Sequence, residues 1–185
     1  MPHIHTADNQ HDLTVSAFIV RVDTAVPKIL LHMHRKHHIL LPIGGHVELS
    51  ETPWQAIAHE LTEESGYMLE QLMVLQPKSR IKQMTNVVQH PYPLSMNTHD
   101  IPSKHFHTDV QYGFVANADP LAVPDDGESL DMRWLSRDEL LKLPKESIFT
   151  NIREIYLFLL DEALAAWEKV PTSEFLLNFP EEYLS

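Results

Sequence analysis

Glu60, Glu63 and Glu64 stand close together on a segment that reads as a helix over residues 53–65. Thr52 is a good N-cap, Pro53 suits the first helical position, Gln55 completes a capping box, and Gly66 is the natural stop. At about 100° per residue, Trp54, Ile57, Ala58 and Leu61 fall in one wedge and the three glutamates in another. The helix carries no Lys or Arg. Glu60 therefore meets Glu64 at i,i+4 and Glu63 at i,i+3, where like charges cost roughly 0.2–0.5 kcal/mol per pair. Glu63 and Glu64 also lie in the last turn, where the helix dipole disfavours anions. As a stability device this is poor. A hard divalent cation reverses its sign, because Mg²⁺ takes carboxylate oxygens at about 2.1 Å and keeps waters and substrate phosphates as its other ligands. The pattern points to a Mg²⁺ site with an anionic substrate.

Composition limits what else the chain can do. At 185 residues, 43% hydrophobic and 22% charged, it is sized and balanced for one globular domain with one site. A formal net charge of −12 argues against a broad phosphate-tracking surface, so no nucleic-acid partner is expected. The absence of cysteine removes disulfides, thiolate metal sites and thiol nucleophiles, and fits a reducing compartment. No apolar run approaches the roughly 20 residues of a spanning helix, and the start of the chain lacks a leader pattern. A cytoplasmic protein without membrane contact is the expectation. Of the thirteen histidines, His3, His5 and His11 sit in a polar stretch that reads as a tail.

The elements that must position the glutamates follow from pattern. Residues 15–22 and 28–33 read as strands, and residues 39–45 as a short strand running into the glycine pair Gly44-Gly45. Strands are also expected at 69–75, 78–84 and 130–135, with a long irregular loop at 90–104. In the strand 105–115, Phe106, Val110, Tyr112 and Phe114 share one face, and His105, His107, Asp109 and Gln111 share the other. That second face is polar enough to line a site. Ser136 caps a brief helix to about Leu143, and Ile148, Ile152, Ile155, Leu159, Ala163 and Trp167 mark a final helix ended by Pro171. The expected organisation is a tail at 1–12, one domain at 13–170 and a second tail at 171–185.

The stretch Gly45-His46-Val47-Glu48-Leu49-Ser50-Glu51, then seven residues, then His59-Glu60-Leu61-Thr62-Glu63-Glu64-Ser65-Gly66-Tyr67, resembles the Nudix box G-x5-E-x7-R-E-U-x-E-E-x-G-U, where U is a bulky apolar residue. One defining position departs: His59 stands where the family has Arg. The resemblance implies an α/β (α+β) Nudix fold, a mixed β-sheet sandwiched between α-helices. It implies Glu60 and Glu64 as the main ligands of Mg²⁺, or of Mn²⁺ as a substitute. Glu63 would be a further ligand or the group orienting the attacking water, and the Gly45 carbonyl a ligand. The family's Arg looks to the position of Glu51. His59 is expected to do that job less well, since imidazole lacks the five-donor fork of a guanidinium.

The implied reaction is hydrolysis of a nucleoside diphosphate linked to another group, such as a nucleoside triphosphate, a modified nucleotide or a nucleotide sugar, by metal-activated water. Glu63, Glu48 and Asp109 are the general-base candidates, in falling order. Arg35, His107 and Asp109 are expected to contact substrate, the last two from across the pocket. A homodimer is implied by the many dimeric members. The run His90-Pro91-Tyr92-Pro93-Leu94 departs from the signature of NADH-cleaving members and is read as loop. The alternative is a Nudix-fold nucleotide-binding or regulatory module without turnover. The intact glutamates favour the enzyme, and His59 favours the module.

Overall fold

The computed structural model describes residues 10–101 and 105–179. In chain order its elements are β1 (His11–Arg21), β2 (Lys28–Met33), β3 (Leu40–Leu41), β4 (Ile43–His46), α1 (Pro53–Glu60), β5 (Leu72–Gln76), β6 (Ser95–Ile101), β7 (His105–Ala116), β8 (Met132–Ser136), α2 (Arg137–Lys142), α3 (Thr150–Phe158) and β9 (Glu168–Pro171). The strands form one mixed sheet with the path β3-β2-β1-β7-β5-β9; β4 pairs with β1, β6 with β7, and β8 with β2. The spine is the parallel pair β1 and β7, with Asp12 opposite His107, Val15 opposite Val110 and Ile19 opposite Phe114.

Both faces of that spine are covered, which is why β1 reads as an almost continuous apolar run. On one face Val15, Ala17, Ile19, Tyr112 and Phe114 pack with Trp54, Ile57 and Leu61 of the α1 segment. On the other, Phe18, Val20, Ile29, Leu31 and Val115 pack with Ile152, Tyr156 and Leu159 of the α3 segment. Each large apolar side chain removed from water in this way contributes roughly 1.5–3 kcal/mol. The result is the helix–sheet–helix sandwich that the resemblance implies. Among the described residues, no helix is long and apolar enough to cross a membrane.

Several expected elements are placed differently. Residues 78–84 form no strand, because Pro77 ends β5 and cannot donate to a ladder; Arg80 instead pairs with Glu168 at 2.6 Å. The stretch 90–104 is not loop throughout. Residues 95–101 are the polar strand β6, held antiparallel to β7 with His99 opposite His107, and residues 102–104 lie outside the described residues. The first half anchors the sheet: Leu94 is buried under α3, and the Tyr92 N–H donates to Gln76 Oε1 at 2.8 Å. The final helix runs on through a π-helical turn (Leu159–Ala163) to Ala166, after which β9 pairs with β5.

Past Pro171, the Thr172 hydroxyl donates to the Leu69 carbonyl at 2.8 Å, and the Phe175 ring lies 5.9 Å from that of Trp54. At the other end β1 starts at His11, ahead of the expected domain start, and its Asp12 is buried. Of the rest of the expected N-terminal tail, Gln10 is described and residues 1–9 lie outside the described residues.

Candidate functional site

The α1 segment is fixed at both ends. At its start the Thr52 hydroxyl accepts from the Gln55 N–H at 3.3 Å and the Gln55 side chain accepts from the Thr52 N–H at 2.9 Å, an arrangement worth about 1 kcal/mol. After Glu60 the helix widens into a π-helical turn (Leu61–Ser65) that carries Glu63 and Glu64, and such turns recur at functional sites. It stops at Gly66, which is left-handed at φ +72°; a Cβ there would stand 2.2 Å from the Ala122 carbonyl oxygen. This glycine lets the loop after β7 close on the helix end. The Ala122 N–H donates to the Gly66 carbonyl at 3.2 Å and the Asp125 N–H to the Glu63 carbonyl at 2.8 Å. Glu128 of the same loop is thereby brought to where its charge acts on both Glu60 and Glu64.

On the other side runs the glycine pair of β4. A Cβ at Gly44 would stand 2.1 Å from the Val15 carbonyl oxygen, so glycine alone allows β4 to lie this close to β1. The Gly44 N–H donates to Glu64 Oε2 at 2.9 Å, with Gly45 next to it.

Glu60 and Glu64 are almost fully buried, at 2% and 7% exposure. Burial, then the charges of Glu64 and Glu63, push the Glu60 carboxyl up to about 8. Burial also pushes Glu64 to about 8, against the Gly44 N–H, with Glu128 and Glu63 adding to the rise. His32 Nε2 lies 4.0 Å from Glu64 Oε2, yet burial and His34 push this imidazole down to about 4, so it faces Glu64 as a neutral ring and not as an ion-pair partner. Glu60 Oε2 is buried and has no hydrogen-bond partner among the described residues. Two dry carboxylates with one oxygen unsatisfied are costly alone and fit a divalent cation.

His59 reaches two carboxylates at once. Its Nδ1 lies 3.4 Å from Glu51 Oε1 and its Nε2 2.9 Å from Glu63 Oε1. Burial works against its charge, but Glu63 and Glu51 outweigh that and raise the imidazole above its ordinary value. Glu51 also accepts from the Glu48 N–H at 3.4 Å. Arg35 donates to the Gly127 carbonyl, on the loop that carries Glu128.

The chain matches the model of the NUDIX domain over residues 10–156. It belongs to the Nudix family. As a Nudix hydrolase it is an enzyme of phosphoanhydride hydrolysis. A NUDIX-family hydrolase from Clostridium perfringens is 29% identical, with 81% of this chain and 96% of that one covered at a TM-score of 0.64. The fold is shared with an Ap4A hydrolase from C. elegans, 18% identical over 78% of this chain and 92% of that one at a TM-score of 0.58. It is shared also with the NUDIX domain of Shewanella oneidensis NrtR, crystallised with ADP ribose, 14% identical over 84% and 88% at a TM-score of 0.57. No curated protein sequence matches the chain.

In this Nudix hydrolase, His107 and Asp109 do not face the glutamates across a pocket. Strand side chains alternate, and Tyr112 and Phe114 of β7 point to Trp54 and α1, so the odd-numbered residues point to the opposite side of the sheet. There Asp109 accepts from the hydroxyls of Thr14 at 3.0 Å and Ser16 at 2.9 Å, and from the Gln111 amide at 2.8 Å. Its carboxylate ties β1 to β7 and is no general base for the α1 site. His107 lies among His46, His99, His105 and Asp12; burial and the neighbouring imidazoles push it down to about 4. Sequence reasoning missed Glu128, His32, Asp12 and His46 as neighbours of either group. The last of these follows Gly45 directly and was the one with a signal in the box itself.

Proposed function

We propose that this Nudix hydrolase is a Mg²⁺-dependent pyrophosphohydrolase that cleaves the diphosphate of a nucleoside diphosphate linked to another group: a nucleoside triphosphate, a modified nucleotide or a nucleotide sugar. The observation that carries the reading is the buried Glu60 and Glu64 pair, with Glu60 Oε2 unsatisfied and the glycine pair alongside. Glu60 and Glu64, with Glu63 and the Gly45 carbonyl, would hold the cation. When bound, Mg²⁺ supplies charge neutralisation at the phosphate oxygens and lowers the pKa of its water. Glu63, tethered through Oε1 to His59, has its other oxygen to orient that water. His59 links Glu63 to Glu51 and so holds the loop before α1 to its last turns.

A cytoplasmic location, from the cysteine-free composition, and a homodimer belong to the same reading. The test is a chromatographic product assay with Mg²⁺ across nucleoside triphosphates, oxidised nucleotides, dinucleoside polyphosphates, ADP-ribose and sugar nucleotides. Conversion of one class to a nucleoside monophosphate is expected. No turnover at any pH, with nucleotide raising the Tm in the absence of metal, would instead mark a binding module.

A further inference from the structure

We propose that Asp12, His105 and His107 form a second metal site, structural in role and selective for a borderline-soft divalent ion such as Zn²⁺. The site lies on the sheet face opposite α1 and shares no side chain with the glutamate site. Its ligands are set by register: Asp12 of β1 pairs with His107 of β7, and His105, two residues earlier, projects on the same face.

The ligand atoms are already spaced for one ion. His105 Nε2 and His107 Nε2 are 3.3 Å apart, Asp12 Oδ2 is 3.8 Å from His105 Nε2, and all three atoms lie within 4.8 Å of one another. A tetrahedral ion with ligands at about 2.0–2.1 Å has ligand-to-ligand edges of roughly 3.3–3.4 Å. Small side-chain shifts close the set. His46 Nε2 of β4 lies 3.6 Å from Asp12 Oδ2, near enough to supply a fourth ligand, and its ring is 5.0 Å from that of His107. Asp12 and His105 are 1% and 5% exposed, as in closed structural sites rather than open catalytic ones. Imidazole ligands favour Zn²⁺ over Mg²⁺, whereas the carboxylates beside α1 favour the harder ion, so the sheet separates two sites of different selectivity. Because His46 directly follows Gly45, an ion here clamps β1, β4 and β7 together and fixes the glycine pair from behind.

The test uses the full chain, stripped with a chelator and then titrated with Zn²⁺ in saturating Mg²⁺. Calorimetry reads the stoichiometry, a thermal melt reads the stability, and Co²⁺ in place of Zn²⁺ gives the visible spectrum of the ligand set. We expect one equivalent bound, a raised Tm and the absorption of a tetrahedral site. His107→Gln and, as a second variant should that one not fold, Asp12→Asn should weaken Zn²⁺ by at least about 100-fold and abolish the rise in Tm. Glu64→Gln and the pair His3→Ala and His5→Ala should keep both. Undiminished Zn²⁺ binding in folded His107→Gln or Asp12→Asn, its loss in Glu64→Gln or in the His3 and His5 pair, or no binding to the unaltered chain would overturn the proposal.

Discussion

Glu60 and Glu64 on one face of the sheet and Asp109 on the other are buried carboxylates in opposite circumstances. On the α1 side, Glu60 and Glu64 are both buried, Glu64 beside a neutral His32 with one backbone N–H from Gly44, and Glu60 with an oxygen left unsatisfied. On the far side, Asp109 is equally buried but takes three hydrogen bonds from Thr14, Ser16 and Gln111. The same functional group is a structural tie where donors saturate it and a ligand in waiting where they do not. Burial alone therefore does not mark a site; unsatisfied burial does.

The largest effect should come from Glu64→Gln. Metal-borne charge stabilisation is worth several kcal/mol, and at 1.36 kcal/mol per decade its loss lowers the rate on the order of 10²–10³-fold. Product assays with Mg²⁺ measure this, and a rate within a few-fold of wild type would break the contrast between the faces.

The comparison sharpens when the same chemical change is made on each side. Without metal and near neutral pH, Glu64→Gln should raise the Tm, because it removes the cost of protonating on folding a carboxyl that the unfolded chain holds ionised and the folded chain pushes up to about 8. Asp109→Asn should lower stability by about 1–3 kcal/mol, because an amide N–H₂ then meets a donor. At roughly 2–4 °C per kcal/mol for a chain of this size, the second shift is easily read in a thermal melt. Equal signs for the two variants would sink the distinction.

The pH dependence has a definite sign. Unfolded, Glu60 and Glu64 titrate near 4.5; folded, both are pushed up to about 8. Between these values the folded metal-free protein holds protons that the unfolded chain has released, so the pair's contribution to stability is greatest below about 4.5 and falls as the pH rises to about 8. Melts in chelator from pH 5 to 9 should show this fall, and Mg²⁺ should flatten it. A metal-free Tm that rises over that range would show the carboxylates to be satisfied after all.

The smallest effect belongs to His59, which is half exposed, so its ion pairs are screened. Its raised pKa means that its charged links to Glu51 and Glu63 are present at low pH and lost as the pH passes through that raised value. Arg stays charged throughout. His59→Arg should therefore give a modest gain in rate or Tm that grows from pH 6 to pH 9, and the absence of any gain at the higher pH would deny His59 the bridging role.

What was legible in the sequence was local. The capping box at Thr52, the core wedge of Trp54, Ile57 and Leu61, the stop at Gly66 and the clustering of three glutamates all depend on neighbours within a few turns, and helical geometry relates them without the rest of the fold. The bridge from His59 to Glu51 was likewise foreshadowed by the family pattern. Residues 95–101 were misread because a polar edge strand owes its existence to pairing with β7 rather than to propensity. Thr172 and Phe175 were misread as tail because their contacts are with Leu69 and Trp54, far back in the chain, while residues 180–185 lie outside the described residues.

By itself the sequence determined the family, the glutamate helix and the apolar stripes that bury it, since periodicity and spacing carry that information. Only the tertiary structure decided which face of the sheet each polar strand residue occupies. Alternation along β7 shows that His107 and Asp109 share a side, but nothing in the strand says which side α1 will cover. That choice was made by Tyr112 and Phe114 packing on Trp54, and by the parallel pairing of β1 with β7, which set Asp12 beside His107 and Thr14 beside Asp109 across most of the chain.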